Sequence, residues 1–193
     1  MPKLLLPWLI GLHAAFLLGC DAAPPPNELP DGVAPAHVTG LLSEPDMTPI
    51  SVVASCDGYF GPGGSWYLSV NSAGQAELTK LYTDERRAFT IPPDDWAAFR
   101  KSLADEKFFE LEDAFGDPHV LDSSTTTVTI VAGKWVKTVR THYLDARVPE
   151  HTTPEVARAL RINGMVRGWF EDGQAADLRP YHQKIIEAAQ RRE

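Results

Sequence analysis

The chain has 193 residues, of which 44% are hydrophobic, and a formal net charge of −8. This length and apolar content suit one folded domain with a core of its own. The acidic balance excludes nucleic acid as a partner, because an acidic surface is repelled by a phosphate backbone.

The first nineteen residues have the layout of a secretory signal. Lys3 is the one charged side chain there, and an apolar run of about 15 residues follows it. A membrane-spanning helix needs about 20 apolar residues, so the run is short for a permanent span. The run ends at Leu17-Leu18-Gly19-Cys20, which resembles the lipobox of bacterial lipoproteins. We therefore expect residues 1–19 to be a lipoprotein signal peptide.

The lipobox resemblance implies cleavage before Cys20 and attachment of a diacylglyceryl group to its sulfur. Two or three acyl chains on this residue would hold the protein stably on a membrane. The alternative is an ordinary signal peptide in which Cys20 is a bystander. An aspartate at the next position, here Asp21, acts as an inner-membrane retention signal in enterobacteria-like sorting. We expect the protein to face the periplasm from the inner membrane; the alternatives are the outer membrane and the cell surface.

Residues 20–47 are expected to comprise the lipidated cysteine and a disordered tether. Residues 21–35 contain five prolines and almost no large apolar side chain. Such a composition cannot bury a core and favours extended polyproline II conformation.

An α+β domain is expected at residues 48–175, followed by a charged C-terminal helix at residues 176–193. Alternating apolar residues and turn signals predict half-buried strands at 49–55, 65–71, 76–83, 88–91, 125–132 and 134–142. Residues 56–64 are expected to form a glycine- and proline-rich loop. One helix is predicted from Pro92-Pro93-Asp94-Asp95 and another from Thr153-Pro154-Glu155. The fold class is therefore an antiparallel sheet of about four to six strands with two or three helices.

Several short motifs resemble a family of exported bacterial domains of unknown function. The resemblance covers roughly residues 50–170. The motifs that carry it are Cys56-Asp57-Gly58, Trp66-Tyr67-Leu68, Phe108-Phe109-Glu110-Leu111, Asp122 and Thr125–Ile130. The family loop often has a second cysteine before proline, which this chain lacks. The resemblance implies the fold and supplies no activity, because these are packing motifs.

Asp117, His119 and Asp122 are the candidates for a binding or catalytic site. Two carboxylates and an imidazole could form a metal site or a general base together with His142 or His151. The alternative is an ordinary loop, since no spacing such as HExxH places two ligands on one face. Cys56 is interpreted as a structural thiol, because Asp57 beside it would raise its pKa and no second cysteine follows at Cys-x-x-Cys spacing.

The sequence therefore favours a membrane-anchored, non-catalytic binding or structural module. Its expected partners are the membrane, through the lipid, and an unidentified envelope protein. No cofactor or metal is expected. The alternative is a hydrolase or metal-dependent enzyme that uses the Asp117, His119 and Asp122 loop.

Overall fold

The structure, a computed structural model, describes residues 35–42, 48–57, 64–120, 123–170 and 179–191. The strands in these ranges are β1 Ile50–Asp57, β2 Trp66–Val70, β3 Gln75–Lys80, β4 Glu85–Thr90, β5 Ala114–Phe115, β6 Thr125–Ala132 and β7 Trp135–Thr141. The α-helices are α1 Pro35–Leu42, α2 Pro93–Asp105, α3 Pro154–Gly168 and α4 Arg179–Gln190. Short 3₁₀ helices occur at Phe108–Glu110 and Pro149–Thr152.

The described strands form one sheet in the order β4-β3-β2-β1-β6-β7-β5. All neighbours are antiparallel except β5 and β7, which run parallel. The α+β class is confirmed, whereas the prediction of four to six purely antiparallel strands is wrong: the sheet has seven strands and is mixed. The additional strand, Ala114–Phe115, has two residues. It is too short to leave an alternating pattern in the sequence.

The centre of the sheet is the antiparallel pair of β1 and β6. Ile50 lies opposite Ala132 at one end of this pair, and Asp57 lies opposite Thr125 at the other. Side chains of β1 alternate between buried and half-buried as far as Cys56, as expected for a sheet with one covered face. Cys56 and Asp57 were predicted to begin a loop, but they complete β1 through their pairing with β6. Residues 58–63 of the predicted loop lie outside the described residues.

Helices α2 and α3 begin where the prolines predict. Pro93 opens α2 with two acidic residues in its first turn, where the helix dipole favours negative charge. Thr153 caps α3, and its Oγ1 accepts a hydrogen bond from the Val156 backbone N–H at 3.3 Å. Asn163 links α3 to the sheet by donating to the Thr141 hydroxyl at 2.9 Å.

Helix α1 lies inside the segment predicted to be a disordered tether, so that prediction is wrong for residues 35–42. Val38 and Leu42 are buried, and α1 packs against α2 and the 3₁₀ helix at Phe108–Glu110. The Thr39 hydroxyl also donates to Glu110 at 3.2 Å. Apolar residues four apart on a helix share a face, so Val38 and Leu42 are buried together. Their burial stabilises this helix although a proline-rich segment precedes it. The expected signal peptide, Cys20, Asp21 and the proline-rich segment lie outside the described residues.

The C-terminal helix packs against the domain. α4 contacts α3 and the 3₁₀ helix at Pro149–Thr152, and it buries Ile185 and Ala189. In the part of the chain that the structure describes, no helix has the length and apolar character needed to cross a membrane.

Replacing Phe99 with alanine should destabilise the domain by about 3–5 kcal/mol, because the change leaves a cavity in a close-packed core. The Phe99 ring is 0% exposed and lies 4.8 Å from the Trp169 ring, centroid to centroid. Urea unfolding of Phe99→Ala beside Ala98→Gln would measure this difference. Ala98 is an exposed residue of the same helix, so its variant should unfold like the wild type. Equal midpoints for both variants would contradict the packing of α2.

Candidate functional site

Asp117 and His119 form a tight local turn at the end of β5. The Asp117 backbone N–H donates to the Tyr143 carbonyl at 2.9 Å, and its side-chain Oδ1 accepts from the His119 N–H at 2.8 Å. This is the self-bonded turn that aspartate commonly makes in loops. Gly116 before it has a φ of +85°, and a Cβ there would lie 2.4 Å from the Tyr143 carbonyl oxygen. Glycine is therefore required at this corner. Asp122 lies outside the described residues.

His142 and His151, the two histidines considered as further ligands, lie on different elements of the fold: His142 follows β7, and His151 is in the 3₁₀ helix at Pro149–Thr152. The His142 Nδ1 is 3.0 Å from the Thr125 hydroxyl, its neighbour across the β6–β7 pair. Burial lowers the pKa of His142, Arg140 lowers it further, and Asp117 opposes the shift. The His151 Nδ1 instead accepts from the Asp145 N–H at 3.0 Å. In the described ranges, no three His, Cys, Asp or Glu side chains are grouped to hold a metal ion.

Cys56 is a free thiol that is only 3% exposed. Burial raises the pKa of this thiol, and the nearby Asp57 carboxylate raises it further; Arg167 and the Thr126 and Ser124 hydroxyls act in the opposite direction. A reactive cysteine requires an accessible thiolate with a lowered pKa. The Cys56 environment has the opposite character, which supports the interpretation of a structural thiol.

A cleft of about 580 Å³ lies along α2, apart from all these residues. Its volume is within the range of about 300–1,000 Å³ that is usual for small-molecule sites. The walls come from α1, α2, the β2–β3 turn and the end of β4, and they include Leu42, Ile91, Trp96, Ala97, Arg100 and Ala104. The cleft is therefore mainly apolar, and Arg100, Lys101 and Asp105 are its charged lining residues.

The helical repeat explains why Trp96 and Arg100 meet in the cleft. Residues four apart on α2 lie one above the other on the same face. The Trp96 ring is held by the Phe99 and Trp169 rings, at centroid distances of 5.8 and 5.9 Å. Arg100 is only 9% exposed, while Lys101 at the rim forms an ion pair with Asp105. The restrained aromatic wall suits a ligand with an apolar body, and Arg100 contributes a positive charge to the same face of the helix.

The sequence pattern does not reveal this cleft, because Trp96, Phe99 and Leu103 recur at spacings of three and four, which is typical of the core-facing stripe of a helix. The one sequence feature that could have indicated the cleft is Arg100. It lies four residues after Trp96, so a helix places its charge beside the apolar stripe. Such a residue usually extends its charged end to solvent, so the sequence by itself did not indicate a site.

Comparison of the chain with protein-family models gives no match, and comparison with curated proteins gives none either. The resemblance to exported bacterial domains and the lipobox resemblance stay predictions.

The Cys56 thiol should be alkylated at least about tenfold more slowly in the native protein than in urea, since burial removes access and the raised pKa lowers the thiolate fraction. The rate should also begin to rise at a higher pH in the native protein than in urea. A Cys20→Ala variant leaves Cys56 as the only thiol, so mass spectrometry after timed iodoacetamide treatment reads it directly. Equal native and denatured rates would mean that the thiol is accessible.

Proposed function

We propose that the chain is a membrane-anchored lipoprotein whose α+β domain is a non-catalytic binding module facing the periplasm. Its lipid anchor would be Cys20, at the end of Leu17-Leu18-Gly19-Cys20. Asp21 favours retention in the inner membrane, with the outer membrane and the cell surface as alternatives. The chemistry of the anchor is that of two or three acyl chains, which is enough for stable attachment.

The cleft along α2 is the observation that supports a binding role. It combines an apolar wall, the restrained Trp96 ring and the cationic residue Arg100 in the lining of one concave site. Ligand sites generally consist of such apolar walls with a few placed polar groups. We propose that the cleft takes a small amphiphile with a carboxylate, sulfonate or phosphate group.

The hydrolase or metal-dependent alternative has less support. The Asp117 carboxylate accepts a hydrogen bond from the His119 backbone N–H within one turn, and His151 belongs to the 3₁₀ helix at Pro149–Thr152. A general base needs its partner groups within hydrogen-bond reach of a common reacting atom. The raised pKa of Cys56 also disfavours a thiol nucleophile.

The Cys20→Ala variant should lose lipid labelling and keep its signal peptide, because the alanine has no sulfur to acylate. Growth with radiolabelled palmitate, followed by electrophoresis of the full chain, measures both effects. Labelling should persist in Cys56→Ala, the matched control. Palmitate on Cys20→Ala would contradict the anchor, while equal loss of label in Cys56→Ala would mean that the effect is not specific to the lipobox.

Filling the cleft should strongly weaken amphiphile binding without unfolding the domain. We expect saturable binding of anilinonaphthalene sulfonate, an apolar anion, to the wild-type chain, and at least about tenfold weaker binding to Ala97→Trp, since the indole would occupy the ligand's volume. Ala97 and Ala98 are both exposed on α2, but only Ala97 lines the cleft.

Ala98→Trp is therefore the matched control and should bind the dye like the wild type. A fluorescence titration measures all three affinities. Equal binding by the two tryptophan variants would exclude the cleft as the site, and absence of dye binding by the wild type would contradict the proposed ligand class.

A further inference from the structure

Strand β4 is the outermost strand at one end of the sheet that the described strands form. Among the described strands it pairs only with β3, and all its side chains are exposed except that of Phe89, which is half-buried. The turn before it also presents Leu81 and Tyr82, which are 52% and 62% exposed. This end of the domain therefore combines unpaired strand backbone with exposed apolar side chains.

The register of β3 and β4 shows which backbone groups face outward. The Ile91 N–H donates to the Gly74 carbonyl at 2.9 Å, immediately beyond the paired residues Gln75 and Thr90. Hydrogen-bonding residues alternate along an antiparallel strand. The backbone groups of Glu85, Arg87 and Phe89 therefore point toward β3, and those of Arg86, Ala88 and Thr90 point away from it.

The two edges of the sheet differ in how they are protected. Native proteins keep edge strands from pairing by making them short, by bulges, by proline or by charge. The β5 edge has only two residues. β4 has six residues, continuous pairing with β3 and no proline. Of these means of protection, only charged side chains are left to keep β4 from pairing with another strand.

These charges are positive and lie on both faces of the edge. Arg87 of β4 lies opposite the buried Leu78 of β3. Arg86 lies opposite Thr79, on the other face of the sheet. The Glu85 carboxylate is already bound to Lys80 at 2.9 Å. Neither arginine forms an ion pair with a described residue, so the edge offers two guanidinium groups beside its outward backbone groups.

We propose that the β4 edge binds an extended acidic segment of a partner protein by adding it as a further strand. The added backbone would bond to the outward groups of Arg86, Ala88 and Thr90, and acidic side chains at adjacent positions would meet Arg86 and Arg87. An apolar residue suits the position opposite Phe89, because aromatic side chains pair well with apolar side chains across a sheet. The Arg87 guanidinium lies 5.1 Å from the centre of the Phe89 ring on the same face.

A second copy of the chain fits this edge less well. Antiparallel pairing of β4 with itself centred on Arg87 places two guanidinium groups directly opposite each other, which is destabilising. Pairing centred on Ala88 avoids that contact but places no carboxylate opposite either arginine. The whole chain is also acidic, with a net charge of −8, so two copies repel each other. An acidic segment would instead place carboxylates opposite Arg86 and Arg87, so the charges at the contact would attract each other.

The proposal concerns a surface beyond the proposed ligand cleft, although Thr90 borders both. The test uses the full-length chain in mild detergent and a fluorescein-labelled peptide with the repeat Val-Val-Glu-Glu. This repeat can place one glutamate opposite each of Arg86 and Arg87, which lie on opposite faces, and a valine opposite Phe89. We expect the peptide to bind in a fluorescence anisotropy titration, to weaken as salt is added, and to fail when lysine replaces glutamate.

Ala88→Pro is the decisive variant, because proline removes an outward N–H and keeps the bonds to β3. It should weaken peptide binding by at least about tenfold, since an added strand can no longer pair there. Ala88→Thr keeps the N–H and should bind like the wild type, and Arg86→Ala and Arg87→Ala should each weaken binding and reduce its salt dependence. Ala88→Pro should still bind anilinonaphthalene sulfonate like the wild type. Unchanged dye binding would show that the cleft is intact and that the loss of peptide binding comes from the β4 edge.

Hydrogen exchange of the wild-type chain gives a test that does not depend on folding of a variant. The peptide should slow exchange in segment 85–90 and leave the central strands unchanged. Equal peptide affinity of Ala88→Pro and wild type would overturn the proposal, as would no binding or no protection in 85–90. A concentration-dependent dimer of the wild type that Ala88→Pro abolishes would overturn it in favour of a second copy.

Discussion

The register between β1 and β6 is the constraint on which the rest of the structure depends. Residues 50–57 meet residues 125–132 over their whole length, so one choice of pairing decides which side chains of both central strands are buried. Because side chains alternate along a strand, a slip by one residue would move Ile130 and Val128 to the open face. The chosen register instead aligns Ala54 with Val128 and Val52 with Ile130.

That register also decides where helices and ligands can be. The apolar face needs a cover, and α2 and α3 provide it through Phe99, Leu103 and the residues around Asn163. The opposite face has Ser55 beside Thr127, which can remain in contact with water. The cleft then arises where α2, α1 and the strand ends meet, and the open edge arises at β4, four positions from β6 in the sheet order.

The sequence predicted what depends on neighbours in the chain. Alternation located β2 and the β6–β7 hairpin, and prolines with acidic residues or a threonine cap located the starts of α2 and α3. The pairing of β1 with β6 depends on contacts between residues about 75 positions apart, which no local period encodes. The α1 helix was missed because its apolar face has a partner only after the chain folds. Arg100 was missed for the same reason, since its burial in the cleft wall depends on α1 and β4.

Membrane attachment, as proposed, would change what the two surfaces need in order to work. A strand added at one short edge makes few contacts, and an open cleft covers only part of a ligand, so both surfaces would bind weakly in free solution. A tether confines the domain to a thin layer above the bilayer, where partners attached to the same membrane reach millimolar effective concentrations. Weak, reversible contacts then suffice for occupancy. A lipid anchor and a domain with exposed, lightly protected surfaces are therefore physically consistent with each other.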